Sequence, residues 1–158
     1  MNASALGSPT SEAAHPGKYL TFQVGAEHYG IAVEQTREII RVSHITQLPQ
    51  MPDHVKGVIN LRGRIVSVVD LRVRFGVPNP EIHERTCIIV VQITNAQGAA
   101  RAVGLLVDAV EEVVNLAAGD IEPPPEFVSQ QDVGHVVGLA KVKGALQTLL
   151  DLNRLLAA

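Results

Sequence analysis

From Lys18 onward the chain consists of short hydrophobic runs that are separated by glycine, proline and small polar residues. Within a run, apolar residues either alternate with polar ones or follow one another over a few positions, which is typical of β-strands and too short for most helices. The two clearest hairpins have their predicted strands at residues 19–24 and 29–33, joined through 26–28, and at residues 55–60 and 65–69, joined through Arg62-Gly63. The pattern therefore predicts a chain made mostly of β-strands.

Two short helical segments interrupt the predicted strands. Residues Glu34 to Glu38 predict one or two helical turns, after which residues 39–42 return to an extended pattern. Asp70 stands directly ahead of a second helical turn, where its side chain can cap the first free backbone N–H groups, and Gly76 ends that turn. Both helices are therefore expected to be short.

The second half of the sequence repeats the first. Residues 55–72 align with residues 136–153 at an offset of 81, and residues 30–40 align with residues 104–114 at an offset of 74. The pairs that carry the alignment are Gly57 with Gly138, Gly63 with Gly144, Asp70 with Asp151, Gly30 with Gly104, Glu38 with Glu112 and Pro49 with Pro123. The change of register falls between Pro123 and Val136, in a stretch of loop character where an insertion costs little.

This internal duplication predicts two similar small barrels of about five strands each. A copy of ~60–70 residues is marginally stable alone, so the barrels are expected to pack against each other. Apolar residues occupy both odd and even positions between Ile65 and Val69, so both faces of this strand are expected to be packed against other parts of the protein. A groove or seam between the two barrels should follow. Residues 1–17, rich in Ala, Ser, Pro and Gly, are predicted to be a disordered tail.

Composition supports a β-rich chain and excludes several classes of protein. Valine and isoleucine number 22 and 11 against 15 leucines, and branching at Cβ favours strands. A single cysteine among 158 residues excludes an internal disulfide framework and a thiolate zinc site. Five aromatic residues are too few for a base-stacking platform, and a net charge of −3 attracts neither nucleic acid nor an anionic membrane. With neither a signal peptide nor a spanning segment recognisable, the expected location is the cytoplasm.

Signatures of catalysis are missing from the sequence. It contains no phosphate-binding glycine loop, no nucleophile-elbow motif and no pair of histidines at metal-ligand spacing. Cys87 lies in a strand-like run, where a free cysteine acts as a small hydrophobic residue. Asp70 and Asp151 occupy the same repeat position, and helix capping explains both. The chain is therefore not expected to be an enzyme, and no cofactor or metal is expected.

Charge is divided unequally between the two halves. Between residues 56 and 85 the basic residues are Lys56, Arg62, Arg64, Arg72, Arg74 and Arg85, with three acids. Between residues 102 and 140 there is no lysine or arginine, and the seven acids are Asp108, Glu111, Glu112, Asp120, Glu122, Glu126 and Asp132. These are either two solvated faces or the opposite faces of a connector that meets different partners.

Two side chains stand where packing does not require them. Arg62 occupies a hairpin tip, where Gly63 already supplies the turn, so its guanidinium is available to a partner's carboxylates or carbonyls. Phe127 follows a run of three prolines, where it either plugs the loop or anchors another subunit.

Several segments, in order along the chain, resemble the CheW family of bacterial chemotaxis coupling proteins. They are residues 57–63 (Gly-Val-Ile-Asn-Leu-Arg-Gly), 69–72 (Val-Asp-Leu-Arg), 29–31, 38–40, 104–108 and 120–123. The resemblance implies an all-β fold of two intertwined five-stranded SH3-like β-barrels over residues 18–158, with short helical turns. It further implies a first subdomain near residues 24–84 and a second near 85–148 plus the first strand. A short C-terminal helix at residues 151–157 would pack back on the barrels.

The same resemblance implies a non-catalytic adaptor without a cofactor. Its partners would be the regulatory domain of a CheA-type histidine kinase and the cytoplasmic hairpin tip of methyl-accepting chemoreceptors, with neither nucleic acid nor membrane insertion involved. It would lie in the cytoplasm and be recruited to receptor arrays at the inner membrane. The implied receptor-binding residues are Val33, Thr36, Glu38, Arg62, Leu106 and Val107, and the implied kinase-binding residues are Gly57, Val58 and Phe127. The sequence departs from the family pattern at Thr36, where valine is frequent, and at Ser67, where proline is common.

An alternative from another class is a small β-barrel module that binds a ligand or nucleic acid in the groove between its barrels. The acidic second half and the scarcity of aromatic residues argue against it. A weak hydrolase is a third possibility, but it would require a clustered nucleophile and base.

Overall fold

The computed structural model describes residues 15–95, 97–124 and 135–156, and over these residues the protein is built from strands. The strands are β1 (Gly17–Val24), β2 (Glu27–Ala32), β3 (Thr36–Arg41), β4 (Val55–Leu61), β5 (Arg64–Asp70), β6 (Cys87–Thr94), β7 (Ala100–Val107), β8 (Ala109–Leu116), β9 (Ile121–Glu122), β10 (Val136–Val142) and β11 (Ala145–Leu150). Two one-turn helices follow β5 and β11, namely α1 (Leu71–Arg74) and α2 (Leu152–Leu155). The predicted all-β class is confirmed.

The strands form two sheets, which we call the first and second barrels. The first barrel has five strands in the order β3-β6-β7-β5-β4, and the second has six in the order β8-β1-β2-β11-β10-β9. The sixth strand, β9, is only two residues long. Neighbouring strands pair antiparallel except β5 with β7 and β2 with β11, which pair parallel.

The two barrels exchange strands, so the predicted subdomain boundary does not separate them. Strand β2 comes from the predicted first subdomain but pairs in the second barrel, while β6 and β7 come from the predicted second subdomain and pair in the first. Strand β1 lies in the second barrel, where it was placed by the resemblance. Each parallel pair joins a strand from one half of the chain to a strand from the other, and this makes the barrels intertwined.

The duplication predicted from the sequence is present in the backbone pairing. In the first barrel Val68 pairs with Gly104, and in the second barrel Leu149 pairs with Gly30, at the predicted offsets. A Cβ atom on Gly104 would lie 2.8 Å from Ile88, and one on Gly30 would lie 2.9 Å from Leu149. Both equivalent positions therefore leave room that a side chain of a neighbouring strand fills.

Turns and caps repeat in the same way. The β4–β5 turn has Arg62 and Gly63 at φ 52° and 86°, and the β10–β11 turn has Lys143 and Gly144 at φ 51° and 83°. The backbone N–H groups of both capping aspartates donate to histidine carbonyls, Asp70 to His54 at 2.7 Å and Asp151 to His135 at 2.8 Å.

The predicted local elements need three corrections. The helical segment expected from Glu34 to Glu38 is a single 3₁₀ turn at Val33–Gln35, and β3 begins directly after it at Thr36. The turn between β1 and β2 contains only Gly25 and Ala26. The first strand begins at Gly17, which was assigned to the tail; the tail's residues 1–14 lie outside the described residues.

Buried side chains form three clusters. The largest fills the space between the barrels and includes residues from both ends of the chain, from Leu20 and Phe22 on β1 to Leu152 and Leu155 on α2. A second cluster fills the first barrel, with Ile59, Val66, Val68, Ile88, Val90 and Leu106. The third fills the second barrel, with Tyr19, Leu116, Ala140 and Leu149. The region between the barrels is thus a packed core.

The apolar pattern of residues 65–69 predicts that its aliphatic side chains are buried, and one of them is not. Val66, Val68 and Val69 are buried, but Ile65 is 71% exposed. Its repeat equivalent Leu146 is 54% exposed. The outer face of each hairpin therefore carries an uncovered aliphatic side chain.

A buried ion pair joins the two barrels. Arg72, 1% exposed, donates through Nε and Nη2 to the two carboxylate oxygens of Asp70 at 3.0 and 3.1 Å. Its Nη1 donates to the Glu81 carbonyl at 2.6 Å and lies 3.4 Å from Asp108 Oδ1. Asp108 in turn accepts from the N–H of Gly25, in the β1–β2 turn, at 2.6 Å. Arg72 thus belongs to the interior and must be removed from the basic face predicted for the first half.

Candidate functional site

The structure brings together Arg62 and Glu38, two of the residues predicted to bind a receptor. Arg62 lies at the β4–β5 turn and Glu38 on β3, and an ion pair joins Arg62 Nη2 to Glu38 Oε2. The Arg62 side chain is 70% exposed. Hydrogen bonding and charge attraction from Glu38 raise the pKa of the Arg62 guanidinium. The pair is thus an exposed site with a fixed cation and an adjacent carboxylate.

The backbone at Arg62 is unusual for a long side chain. Positive φ at both central residues makes the β4–β5 turn suitable for Asn-Gly or Gly-Gly, because few other residues adopt that conformation cheaply. Asn60 Oδ1 accepts from the Gly63 N–H at 2.8 Å and completes the turn without any contribution from the arginine side chain. The turn therefore holds Arg62 outward at some local conformational cost.

Val33 and Thr36 flank the start of β3. The Thr36 hydroxyl donates to the Val33 carbonyl at 2.7 Å, so its polarity is used within the 3₁₀ turn. Val33 is half-buried against the core between the barrels, and it lines a cavity of about 600 Å³ together with Tyr19, Ala32 and Leu150. The cavity is lined by β1, the β2–β3 connection, β10 and the start of α2, and contains no strand of the first barrel, so it is not the groove between the barrels expected from the sequence.

Leu106 and Val107 do not line an open groove. Both are 0% exposed, Leu106 inside the first barrel and Val107 in the core between the barrels. Consecutive residues of a strand point to opposite faces, and both faces of β7 are covered, because Leu106 packs in the cluster of the first barrel and Val107 in the core between the barrels. Neither side chain is open to a partner in this structure, and their role in receptor binding stays a prediction.

Gly57 and Val58, predicted to bind the kinase, lie on β4 next to a bulge. A Cβ atom on Gly57 would lie 2.1 Å from the Thr46 carbonyl oxygen, and φ at Gly57 is 149°. Thr46 also exchanges two backbone hydrogen bonds with Val58, at 2.8 and 2.9 Å. Glycine at this position is therefore explained by the approach of the Thr46 backbone, and Val58 is the residue of the two with an exposed side.

The outer face of the β4–β5 hairpin carries a residue that the sequence analysis missed. Val58 pairs with Ser67, and Ile65 lies diagonally from Val58 on the same face. Val58 and Ile65 therefore form a small apolar patch on the outer face of the hairpin, and Ile65 is its most exposed part. Strict alternation along Arg64-Ile65-Val66-Ser67-Val68 would have predicted it. The third predicted kinase residue, Phe127, lies outside the described residues.

The Arg62–Glu38 pair has a counterpart on the second barrel. Lys143 Nζ lies 2.9 Å from Glu112 Oε1, and these residues are the repeat equivalents of Arg62 and Glu38. Each pair joins the tip of a hairpin to the strand at one end of its sheet, β3 in the first barrel and β8 in the second. The counterpart supplies a matched control for any test of Arg62.

Reactive groups are scattered over the described chain and form no site. Burial raises the pKa of the Cys87 thiol, which disfavours the reactive thiolate. Among the described residues no group of three metal-ligating side chains is close enough to hold an ion. In the same residues no helix is long and apolar enough to span a membrane.

Comparison with known proteins yields consistent relatives. The family model of the CheW-like domain matches residues 18–158. The chemotaxis protein CheW of Klebsiella aerogenes is 36% identical over 141 residues, covering 89% of this chain and 82% of that protein. CheW of Bacillus subtilis is 31% identical over 147 residues, covering 93% and 91%. The crystal structure of the scaffolding protein TtCheW from Thermoanaerobacter tengcongensis superposes with a TM-score of 0.79 at 34% identity, covering 90% of this chain and 94% of that one.

Proposed function

This chain belongs to the CheW-like domain family, and on that premise we propose that it couples methyl-accepting chemoreceptors to a CheA-type histidine kinase without catalysing a reaction. The coarser part of that statement, a scaffold in chemotaxis, follows from the family and from the solved relative. The choice of partners and the surfaces that meet them are our proposal. We place the protein in the cytoplasm, where receptor arrays at the inner membrane would recruit it.

The observation that carries the proposal is the exposed Arg62–Glu38 pair. Its turn pays a conformational cost to hold a guanidinium in solvent, and strain of this kind is common at binding sites. An ion pair at the surface, here with Arg62 70% and Glu38 30% exposed, contributes little to stability. A receptor helix that offers a carboxylate could therefore take over part of the arginine's hydrogen bonding at small cost. The fork of donors on arginine would fix the register of that helix.

The apolar face formed by Val58 and Ile65 is our candidate for the kinase contact. An exposed aliphatic centre surrounded by polar residues is typical of a protein interface. Docking of the kinase regulatory domain on this face would cover Ile65, and an interface of the usual ~1,600 Å² or less would suffice. The two candidate surfaces lie on the same barrel, so a shift of the receptor helix could alter kinase placement. The signal would consist of a difference in contact energy between two arrangements.

The receptor half of the proposal is tested by charge reversal at the hairpin tip. Arg62→Asp should weaken binding of a purified receptor cytoplasmic hairpin fragment at least about tenfold, or ~1.4 kcal/mol, measured by calorimetry. Lys143→Asp makes a comparable charge change at the equivalent turn of the other barrel and should leave binding within about twofold. Equal effects of the two variants would refute the assignment of the receptor surface to Arg62.

The kinase half is tested on the outer hairpin face. Ile65→Asp should abolish detectable binding of the kinase regulatory domain while leaving the unfolding temperature almost unchanged, because Ile65 buries little. The matched control is Leu146→Asp on the second barrel. Undiminished kinase binding by Ile65→Asp would show that this face is not the contact.

The alternative of a ligand or nucleic-acid module loses its predicted site. The space between the barrels is filled by a core that contains Phe22, Ile89 and Leu105, all fully buried. A salt-titrated gel shift with single-stranded nucleic acid should show no complex.

A further inference from the structure

The Arg72 ion pair of the first half of the chain has a counterpart in the second half that keeps both carboxylates but not the arginine. At the offsets of the duplication, the equivalent residues are Asp151 for Asp70, Asn153 for Arg72 and Glu34 for Asp108. All three second-half residues line the cavity of about 600 Å³ beside Val33. In the second half this cavity therefore takes the place that the Arg72 guanidinium takes in the first.

Helix capping supports the equivalence of the two places. The Asp70 carboxylate accepts from the N–H of Arg72 at 3.0 Å. The Asp151 carboxylate accepts from the N–H of Arg154 at 3.3 Å. Each aspartate therefore caps the one-turn helix that follows it and has the same relation to that helix. In the first half the aspartate also binds a guanidinium, and in the second half no described residue supplies one to it.

The cavity carries an excess of negative charge. Its charged lining groups are the carboxylates of Glu34 and Asp151 and the ammonium of Lys18, and the imidazole of His15 lies beside them. Within the described chain, neither of the two carboxylates takes part in an ion pair. The next cation along α2, Arg154, acts on His135, which does not line the cavity.

The remaining wall of the cavity is mostly apolar. It is formed by Tyr19, Ala32, Val33, Val137 and Leu150. Burial raises the pKa of the Tyr19 phenol, the hydrogen bond that it donates to the His15 carbonyl opposes the rise, and the charge of Glu34 adds to it. The Glu34 charge therefore acts along an apolar surface, where water screens it less than in bulk. The cavity volume lies within the ~300–1,000 Å³ of small-molecule sites.

We propose that this cavity binds a guanidinium group supplied from outside the chain, with Asp151 and Glu34 as its carboxylate partners. The first half shows the arrangement. Arg72 donates through Nε and Nη2 to Asp70 at 3.0 and 3.1 Å, and its Nη1 lies 3.4 Å from Asp108. The planar fork of a guanidinium matches carboxylates in this way, and the apolar wall accepts the alkyl stem. The ligand class is a molecule with an arginine-type side chain.

The cavity is more open than the Arg72 site, so the binding is weak. Arg72 and Asp70 are each 1% exposed, whereas Glu34 and Asn153 are exposed residues. Solvent screens charges at such positions. We expect a dissociation constant of about 1 mM that rises with salt concentration.

An NMR titration of the full, isotope-labelled chain tests the proposal. The probe is n-propylguanidinium, which is the arginine side chain without its backbone. Backbone amide signals around the cavity, at Gln35, Val137 and Asn153, should shift and saturate with a dissociation constant of about 1 mM. The lysine analogue n-butylammonium should bind at least about threefold more weakly, because an ammonium lacks the planar fork.

Neutral variants identify the two carboxylates. Glu34→Gln and Asp151→Asn keep an oxygen at each position and remove its charge, so each should weaken binding of the probe at least about threefold. Glu84→Gln and Asp53→Asn make the same changes at exposed positions outside the cavity and should leave binding unchanged.

Asn153→Arg attaches a guanidinium to the chain at the position equivalent to Arg72. It should abolish detectable binding of the probe, while amide signals far from the cavity stay in place and show that the fold is kept. If this variant bound the probe as the wild-type chain does, the proposal would be overturned.

Two further ligands distinguish the sources of the guanidinium. Tighter binding of free L-arginine assigns the cavity to a small molecule, and tighter binding of N-acetyl-arginine amide assigns it to an arginine within a peptide. The proposal is also overturned if the amide shifts do not saturate by about 20 mM probe, or if n-butylammonium binds equally well. Only the purified chain and small probes are used, so the outcome is independent of receptor or kinase binding.

Discussion

Gln147 is a buried polar side chain whose Oε1 has no hydrogen-bond partner among the described residues. It is 4% exposed, and its repeat equivalent in the first barrel is Val66, which is also buried. A buried, unsatisfied amide oxygen costs about 1–3 kcal/mol. Gln147→Val should therefore raise the free energy of unfolding by about 1 kcal/mol in urea titrations.

The reverse exchange is the control for that prediction. Val66→Gln places the same amide in the first barrel, whose interior is aliphatic, and should lower the free energy of unfolding by about 2 kcal/mol. If Gln147→Val also destabilised the protein, the amide would be making interactions that compensate its burial.

His135 makes stability depend on pH. Its ring stacks on Phe75 with centroids 5.9 Å apart, and burial, followed by the charges of Arg74 and Arg154, lowers its pKa from 6.5. The unfolded chain thus binds a proton at higher pH than the folded chain does. The contribution of His135 is present above about pH 6.5 and is lost as the pH falls through its folded pKa.

A substitution isolates this contribution. His135→Phe keeps an aromatic ring against Phe75 and removes the titrating group. Urea titrations between about pH 7.5 and about pH 5.5 should give a shallower loss of stability for the variant than for the wild-type chain. Parallel curves would assign the pH dependence to other groups.

At the scale of elements, the Arg72 ion pair holds α1, the β7–β8 corner and the β1–β2 turn together. Desolvation opposes the guanidinium charge, but Asp70 and Asp108 outweigh it, so the pKa of Arg72 is raised. Removing one partner leaves a charge buried without compensation, which costs about 3–5 kcal/mol. Arg72→Met should therefore lower the free energy of unfolding by that amount.

A double variant separates the charge from the packing. Asp70→Asn keeps an oxygen that can accept the Arg72 N–H at the start of α1 but removes the buried negative charge. Arg72→Met with Asp70→Asn should recover at least about 1 kcal/mol relative to Arg72→Met alone. If the decrease in the free energy of unfolding of the double variant equals the sum of the decreases of the two single variants, the two side chains do not interact.

Elements and their repetition were predictable from the sequence, because strand patterns and turn residues are local signals. The hairpin turn at Arg62-Gly63 and the offsets of the duplication were predicted from residue patterns alone. The exchange of strands between the barrels could not be predicted from those patterns. Strands β2 and β7 are equivalent in the repeat, and each could pair with strands of its own half of the chain or with strands of the other half. Only the three-dimensional pairing distinguishes these arrangements.

Burial of individual residues was the less predictable part of the candidate site. Leu106 and Val107 were assigned to a surface by resemblance, yet β7 is covered on both faces. Arg72 was counted with the surface charges because arginine is rarely buried; its main partner Asp70 is two positions away, but its further contacts with Glu81 and Asp108 span 9 and 36 positions. In both cases burial depends on contacts between distant parts of the chain, which a local pattern does not encode.

At the scale of the whole molecule, duplication has produced two similar barrels with different surfaces. The equivalent hairpin tips carry Arg62 and Lys143, and the equivalent hairpin faces carry Ile65 and Leu146. Both proposed contacts lie on the first barrel, at the tip and on the outer face of its β4–β5 hairpin, and the second barrel supplies equivalent positions as controls. Because the two contacts use different residues, receptor and kinase binding should be separable by substitution.

Cosedimentation of a receptor hairpin fragment, a kinase regulatory domain and this chain tests the coupling role most directly. The account predicts that kinase domain sediments with receptor only when the chain is present. The Arg62→Asp chain should still bind the kinase domain but not the receptor fragment, and the Ile65→Asp chain should still bind the receptor fragment but not the kinase domain. In neither case should the kinase domain sediment with the receptor. The account would be contradicted if both variants still brought the kinase domain down with the receptor, or if the wild-type chain did not.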